Sequence, residues 1–265
     1  MLIKGSKSKI YIKGRSSDSA PLIFIHGFSG TSNSWDNIRN SINKESYAID
    51  IPGHGKSIFN DIKSDYTLND FLVEFFLLLN TLNIDKVDLC GYSMGGRLCL
   101  EFANKYPDKI NSLILESSSQ GIEDLEDRND RLAKDKDLSI EIENDFPKFI
   151  NNWENNKFFK KQKDRNPSEW KLQRDIRLSH DKSQLAKSLY AFNLGRINYF
   201  GDILYTFNFP IVLISGEEDE KFLKIAHKAM KLNKNVKHYV IKDSSHNTHL
   251  ENPELFIDVI NNLDI

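Results

Sequence analysis

One short stretch, Leu89-Cys90-Gly91-Tyr92-Ser93-Met94-Gly95-Gly96-Arg97, limits what this chain can fold into more than any other. The apolar residues from Val87 to Leu89 predict a strand, and the run from Leu98 to Tyr106 predicts a helix. A strand that turns abruptly into a helix, with a serine at the bend inside G-x-S-x-G, is a nucleophile elbow. Gly91 and Gly95 fit this reading, because a serine held in a strained turn needs neighbours without a Cβ. The Ser93 hydroxyl then projects at a helix N-terminus, where free N–H groups and the helix dipole favour negative charge. The bare pentapeptide recurs by chance in unrelated chains. The strand before it and the helix after it make Ser93 a candidate nucleophile.

The chain around the elbow alternates in kind. Lys9 to Lys13 and Leu22 to Ile25 predict strands, the second an unbroken apolar run of the type buried on both faces. It ends in His26-Gly27-Phe28-Ser29-Gly30, ahead of a predicted helix over Ser34 to Ile42. In an elbow enzyme this loop supplies one oxyanion-hole N–H, here Phe28, and Met94 supplies the other. The plainer alternative is an ordinary strand-to-helix turn. Tyr47 to Asp50 predicts a further strand, and the turn cluster after it holds His54, read as a structural loop histidine. Thr67-Leu68-Asn69-Asp70 resembles a capping box and opens an apolar helix to about Leu82. Ile110 to Leu115 predicts the next strand. Repeated alternation of this kind argues for a mostly parallel sheet covered by helices on both faces.

From Ser117 to Tyr205 the buried-strand signature disappears, and polar, helix-like segments carry Trp153, Phe158, Phe159, Trp170, Leu185 and Phe192 among charges. Such a block between two strands of a sheet predicts a helical lid over 117–205, inserted into a core of 1–116 and 206–265. It belongs at the carboxyl ends of the strands, where open α/β sheets bind ligands. The sheet resumes at Pro210 to Ile214, and Asp219 lies in the loop beyond. Lys237 to Ile241 predicts the last strand, with His246 after it and a final helix from about Pro253. Serine, acid and histidine thus follow in the order an α/β-hydrolase requires, each past a strand end. Glu218 can replace Asp219 and His249 can replace His246. Asp219 is preferred as the shorter carboxylate, and His246 as the histidine nearer the strand. The three types belong together because a serine hydroxyl needs a histidine to take its proton and a carboxylate to orient that histidine.

Composition narrows the partners. With 265 residues, 39% hydrophobic and 28% charged, the chain can bury a core without disulfide staples. Its two cysteines, Cys90 and Cys99, read as small buried apolar residues. Basic and acidic residues number 36 and 38, so no overall field recruits nucleic acid, and an anionic ligand needs a local cluster of cations. No run approaches a membrane span and the first residues contain no long hydrophobic region, which predicts a cytoplasmic protein, monomeric or a small homo-oligomer. His246 and His249 have no matching acid or cysteine pair for a metal, and no glycine-rich dinucleotide loop follows the first strand. The expectation is a site without metal or cofactor.

The chain resembles the α/β-hydrolase superfamily over nearly its whole length. Within it, the chain is similar to the 2-succinyl-6-hydroxy-2,4-cyclohexadiene-1-carboxylate synthases of menaquinone and phylloquinone biosynthesis. The matching pieces are the elbow with Arg97, Glu126 to Arg131, the Trp153 region, Asp175-Ile176-Arg177, Gly216 to Phe222, and Ser245 to Pro253. The resemblance implies a triad of Ser93, Asp219 and His246 and an anion-binding set of Arg97, Arg131 and Arg177. It also implies that Tyr92, Trp153, Lys221 and Phe222 line the pocket. This chain departs from the family in having Ser245 where glycine is usual and in placing Glu220 beside Asp219. The implied substrate is a cyclohexene ring with ring, succinyl and enolpyruvyl carboxylates. The triad abstracts a ring proton and pyruvate leaves, without an acyl-enzyme.

The residues read alone support Arg97 best. Four residues past Ser93, it lies about one helical turn, roughly 5.4 Å, along the same face. A planar guanidinium there suits a carboxylate held bidentately, the alternative being an ion pair with an acid of the lid. Arg131 and Arg177 read alone as solvated charges and Trp153 as lid core. Two other functions fit the same pattern: a hydrolase of carboxylic esters or carbon–carbon bonds that acylates Ser93, and a small-molecule receptor without turnover.

Overall fold

Short runs of aliphatic and β-branched residues form the sheet: β1 (Leu2–Lys4), β2 (Ser8–Gly14), β3 (Leu22–Ile25), β4 (Ser46–Ile49), β5 (Ile58–Phe59), β6 (Val87–Tyr92), β7 (Ile110–Glu116), β8 (Ile211–Gly216) and β9 (Val236–Ile241). The structure is a computed structural model that describes residues 1–15, 20–156, 158–159, 161–201 and 204–263. Strands run in the order β1-β2-β4-β3-β6-β7-β8-β9, with β5 paired to β2. From β4 through β9 every pairing is parallel, whereas β2 is antiparallel to β1, β4 and β5. β1 and β5 were not predicted. Three and two residues are too few to show an alternation that sequence could reveal.

The sheet interior explains the unbroken apolar runs. All four residues of β3 are buried, with Ile23 and Ile25 facing one core and Leu22 and Phe24 the other. β6 repeats the pattern: Val87 and Leu89 on the first side, Cys90 and Tyr92 on the second. Alternate side chains of a strand point to opposite faces, so a strand covered on both sides is apolar at nearly every position.

Helix α1 (Asp36–Ser41) follows a 3₁₀ turn over Ser32–Trp35, so the predicted helix over Ser34 to Ile42 is split. Helix α2 (Leu68–Thr81) is started by the Thr67–Asp70 capping box. Helix α3 begins at Met94 and runs to Lys105, earlier than the apolar pattern suggested, because Gly95 and Gly96 hide its first turn. α2 and α3 contribute to the core on one face of the sheet. Trp35, Ile38 of α1, and Phe256 and Ile260 of α11 (Pro253–Asn261, described with its neighbours below) build the core on the other.

Between β7 and β8 lie α4 (Leu125–Asn144), α5 (Phe146–Glu154), α6 (Gln162–Arg165), α7 (Pro167–Leu178) and α8 (Lys182–Ala191). Among the described residues of 117–205 there is no strand; residues 157, 160, 202 and 203 of that span lie outside them. Ile142, Phe149, Ile150, Ala186 and Leu189 give these helices a small core of their own. After β8 come α9 (Glu220–Leu232), and after β9 the short α10 (Thr248–Glu251) and α11.

Candidate active site

The elbow is built where three segments crowd together. Ser93 caps α3 with φ +50° and ψ −106°, a conformation an L-residue adopts only under constraint. A Cβ on Gly91 would lie 2.6 Å from the backbone of Gly95, and one on Gly95 would lie 2.2 Å from the Ile25 carbonyl oxygen. The glycines are therefore required by the close approach of β6, α3 and the end of β3. Ser93 N–H donates to the Glu116 carbonyl at 2.9 Å, which ties the bend to β7.

Asp219 and His246 reach this serine from the neighbouring strand ends. Asp219 caps α9 just after β8, and His246 follows β9. His246 Nδ1 donates to Asp219 Oδ2 at 2.9 Å. A carboxylate only accepts, so this bond fixes the neutral imidazole with Nε2 as acceptor, and Ser93 Oγ donates to it at 3.2 Å. The two alternatives go elsewhere. Glu218 pairs with Lys161 at 2.8 Å and Arg165 at 2.6 Å, which hold its carboxyl below the usual range. His249 Nδ1 donates to the buried Glu116 at 2.6 Å, and its ring stacks on Trp35 with centroids 4.0 Å apart.

Phe28 and Met94 both line the cavity beside Ser93. The loop that carries Phe28 is held by three buried histidines. His26 Nδ1 donates to the Gly27 carbonyl at 2.7 Å while its Nε2 accepts from Ile51 N–H at 3.0 Å. His54 Nε2 accepts from Ser29 N–H at 3.1 Å, and His180, between α7 and α8, donates to the Ser29 carbonyl at 3.0 Å. Burial drives all three below their ordinary value, His26 to about 4. His54 thus supports the backbone around Phe28 and makes no bond to the triad, while His26 and His180 carried no signal in the sequence.

The cavity over Ser93 has a volume of about 290 Å³ and is walled by the elbow on one side and the inserted helices on the other. All of the sequence-derived pocket residues line it: Tyr92, Arg97, Arg131, Trp153 and Arg177, together with Lys221 and Phe222. Their electrostatic states differ. Arg97 makes no salt bridge among the described residues, and its Nε is sealed from solvent without a hydrogen-bond partner. Burial and the nearby Arg131 pull its guanidinium down to about 9, against Asp135, so it stays charged at neutral pH. Arg131 pairs with Asp135 at 2.7 Å, one turn along α4. Arg177, 5% exposed, pairs with Glu154 at 3.0 Å and lies 5.2 Å above the Trp170 ring. Burial holds it below the ordinary arginine value.

Trp153 does two things at once: it stacks on Phe149 at the small core of the inserted helices and meets the Phe28 ring edge-on at 5.2 Å. Lys221 lies over the Phe222 ring at 5.2 Å, and that ring is 5.0 Å from His246. Tyr92 keeps its proton, since burial beside Glu116 and Glu251 pushes its phenol far up, and its hydroxyl has no hydrogen-bond partner among the described residues. Cys90 and Cys99 are buried free thiols raised by burial, hence unreactive. Gln173 was missed by the sequence reading. Its Oε1 accepts from Ser34 Oγ at 2.9 Å while its Nε2 is enclosed at the cavity wall, and nothing distinguishes this glutamine within a charged helix. Among the described residues no group of three or more His, Cys, Asp or Glu is placed to hold a metal ion.

Comparison with known proteins fits this geometry. The alpha/beta hydrolase fold family matches residues 20–253. A Bacillus subtilis protein, named provisionally as a 2-succinyl-6-hydroxy-2,4-cyclohexadiene-1-carboxylate synthase, is 30% identical over 251 residues, covering 91% of this chain and 89% of the relative. A Klebsiella pneumoniae protein named as that synthase is 29% identical, covering 89% of this chain and 90% of its own. The solved structure of MenH from S. aureus superposes with a TM-score of 0.86 at 28% identity, covering 96% of both chains.

Proposed function

The chain belongs to the alpha/beta hydrolase fold family and, within it, to the 2-succinyl-6-hydroxy-2,4-cyclohexadiene-1-carboxylate synthases, and from that premise we propose how its site works. It is a lyase of menaquinone or phylloquinone biosynthesis that takes 2-succinyl-5-enolpyruvyl-6-hydroxy-3-cyclohexene-1-carboxylate and eliminates pyruvate. The observation that carries the site assignment is the Arg97 guanidinium, its Nε sealed from solvent and without a salt bridge among the described residues, in the same cavity as Ser93 and His246, which hydrogen-bond in line with Asp219. A cation kept there at the cost of its own desolvation finds its counter-ion in a ligand carboxylate.

In the proposed mechanism Asp219 fixes the His246 tautomer, and His246 takes the Ser93 proton. Ser93 Oγ then removes the ring proton. The ring C–H and the C–O bond to the enolpyruvyl group break, a ring double bond forms, and the departing enolate takes up a proton to become pyruvate. Negative charge developing on the succinyl carbonyl is met by the N–H groups of Phe28 and Met94. Arg97, Arg131 and Arg177 share the substrate carboxylates, and Tyr92, Trp153, Lys221 and Phe222 shape the space between. The helices of 117–205 form the lid of this site, and 1–116 with 206–265 form the core that carries the triad. The same proposal places the protein in the cytoplasm, as a monomer or small homo-oligomer acting on a small anionic molecule. In support, no described helix is long and apolar enough to cross a membrane. The test is pyruvate formation by the purified protein supplied with this tricarboxylate. Rapid cleavage of nitrophenyl esters without any pyruvate would replace the lyase reading with an esterase.

A further inference from the structure

One flank of the molecule carries a charge that the rest of the chain opposes. From Lys221 to Lys242 there are seven lysines and two histidines and no aspartate or glutamate, in a stretch where the chain's average composition would place several acids. The whole chain has 36 basic and 38 acidic residues, so everything outside this stretch is decidedly acidic. A local excess of one sign attracts a partner of the other. The stretch folds as α9 and then β9, the edge strand of the sheet, so its charge is gathered on one side of the protein.

Burial sets which side of α9 faces out. Phe222, Ala226 and Ala229 are buried, the two alanines in the core that Val236 of β9 also joins. Lys224, Lys228 and Lys231 stand four and three residues apart on the opposite, exposed side and form a row. Like charges at this spacing repel and weaken a helix, so the row is kept against a cost. Lys228 pairs with Glu123 at 3.5 Å, but both side chains are more than half exposed, and a pair so open to water is held only weakly. Met230 and Leu232, 43% and 40% exposed, border the row, and Val240, 45% exposed, adds an apolar side chain from β9. Lysine on an edge strand also blocks unwanted strand pairing, which accounts for Lys237 and leaves the row on α9 unexplained.

We propose that this flank docks reversibly on an anionic lipid surface, with the lysines of α9 against headgroup phosphates and Met230 and Leu232 dipping into the headgroup boundary. Long-range attraction of lysines to anionic lipid and shallow insertion of apolar side chains are the two contributions that such binding adds together. Lipid suits the flank better than nucleic acid does. All seven cations are lysines, so there is no planar arginine fork, and no Phe, Tyr or Trp of the stretch is exposed for bases to stack on. The inference uses neither the triad nor the substrate of the proposed function.

The test is sedimentation of the full chain with vesicles, either of phosphatidylcholine alone or of equal parts phosphatidylcholine and phosphatidylglycerol. The wild type should sediment with the anionic vesicles only, and half-molar salt, which shortens the screening length to a few ångströms, should release it. Lys224→Gln together with Lys231→Gln should lower the partition coefficient about 30-fold, roughly five-fold for each lysine lost. The same two exchanges to Arg should keep it near the wild-type value. Lys4→Gln with Lys63→Gln, exposed around β1 and β5 on the opposite flank, should leave it unchanged. Met230→Ser with Leu232→Ser should lower it about three- to ten-fold by removing the insertion. All of these side chains are exposed, and each variant's melting temperature checks that the fold is intact. Equal sedimentation with neutral and anionic vesicles, equal loss in the two Gln pairs, or no loss in the Ser pair overturns the proposal. So does tighter binding to polyglutamate or to a single-stranded RNA oligomer than to the vesicles. A protein that sediments as expected yet forms no pyruvate removes the synthase reading and leaves this surface standing.

Discussion

The cations of the elbow and those of the lid face the same cavity in different electrostatic states. Arg97 rises from α3, fixed between the sheet and the inserted helices, with no acid paired to it among the described residues. Arg131 and Arg177 arrive from the inserted helices already in ion pairs, with Asp135 at 2.7 Å and with Glu154 at 3.0 Å, the latter carboxylate shared with Arg174. The core therefore keeps a guanidinium without an ion pair beside the nucleophile, while Arg131 and Arg177 of the inserted helices each have a carboxylate partner in the absence of a ligand. A partly enclosed charge without an ion pair costs stability in the empty protein and rewards an anionic ligand; a paired one gains less from the ligand. Under the proposed function the core then supplies most of the net attraction for the substrate.

The largest effect expected lies wholly on the core side. Ser93→Ala or His246→Ala should lower turnover by ~10³-fold or more, and the double variant should lose little beyond either alone, because the groups act as one unit. Additive losses in pyruvate release would separate the serine from the histidine despite their 3.2 Å contact.

The arginines give the next contrast, in opposite signs on two measurements. Removing one partner of a desolvated charge pair typically costs ~2–5 kcal/mol, or ~30-fold to several thousand-fold. Arg97→Met should reduce kcat/KM for the tricarboxylate within that range while sparing hydrolysis of a small neutral ester. Its melting temperature should hold or rise, since a partly enclosed cation without an ion pair is gone. Arg131→Met should cost less activity, of order 10-fold at about 1.4 kcal/mol per decade, yet lower the melting temperature, because it strands Asp135 at 1% exposure. If both variants shift activity and stability alike, the distinction between an unmet core charge and a balanced lid charge is lost.

The core was far more legible in the sequence than the lid, for a physical reason. Val87 to Arg97 announces a strand, a forced glycine turn and a helix because backbone packing leaves few residue types that fit, as the 2.2 Å approach at Gly95 demonstrates. The order serine, acid, histidine could be read because each group follows a strand; β6 and β8 are buried throughout, whereas β9 before His246 is a half-exposed edge strand. The choice between Asp219 and Glu218, or His246 and His249, lies in side-chain direction, which no local pattern encodes. Glu218 turns outward to Lys161 and Arg165, and His249 turns under the sheet to Glu116. In the lid, Arg131, Arg177 and Gln173 sit in charged helices like their solvated neighbours, and only tertiary contact separates them. Resemblance pointed to the two arginines. Nothing pointed to Gln173 or His180.

The smallest effect expected at neutral pH tests the seam between the two regions. His26 and His54 stand on core loops and His180 comes from the lid, and the three rings lie in line, His26 to His54 at 4.9 Å and His54 to His180 at 5.3 Å. Each is neutral because burial disfavours its cation; Asp50 opposes this for His26 and His180, and the neighbouring histidines reinforce it for His26 and His54. In the unfolded chain the same rings protonate near the usual value of ~6.5. Between that value and the depressed one, about 4 for His26, the unfolded state binds the extra proton, so stability is complete above ~pH 6.5 and falls as pH falls. Each histidine adds up to ~1.4 kcal/mol per pH unit to that slope, and His26 alone reaches ~3 kcal/mol by pH 4. Melting temperatures measured from pH 7.5 down to 5 should therefore decline, with the lid released first because His180 is its share of the seam. His180→Gln should leave turnover at pH 7.5 little changed and flatten the acid slope by about one proton's worth. An unchanged slope in that variant would mean that His180 takes no part in the acid response and would leave it to the two core histidines, His26 and His54.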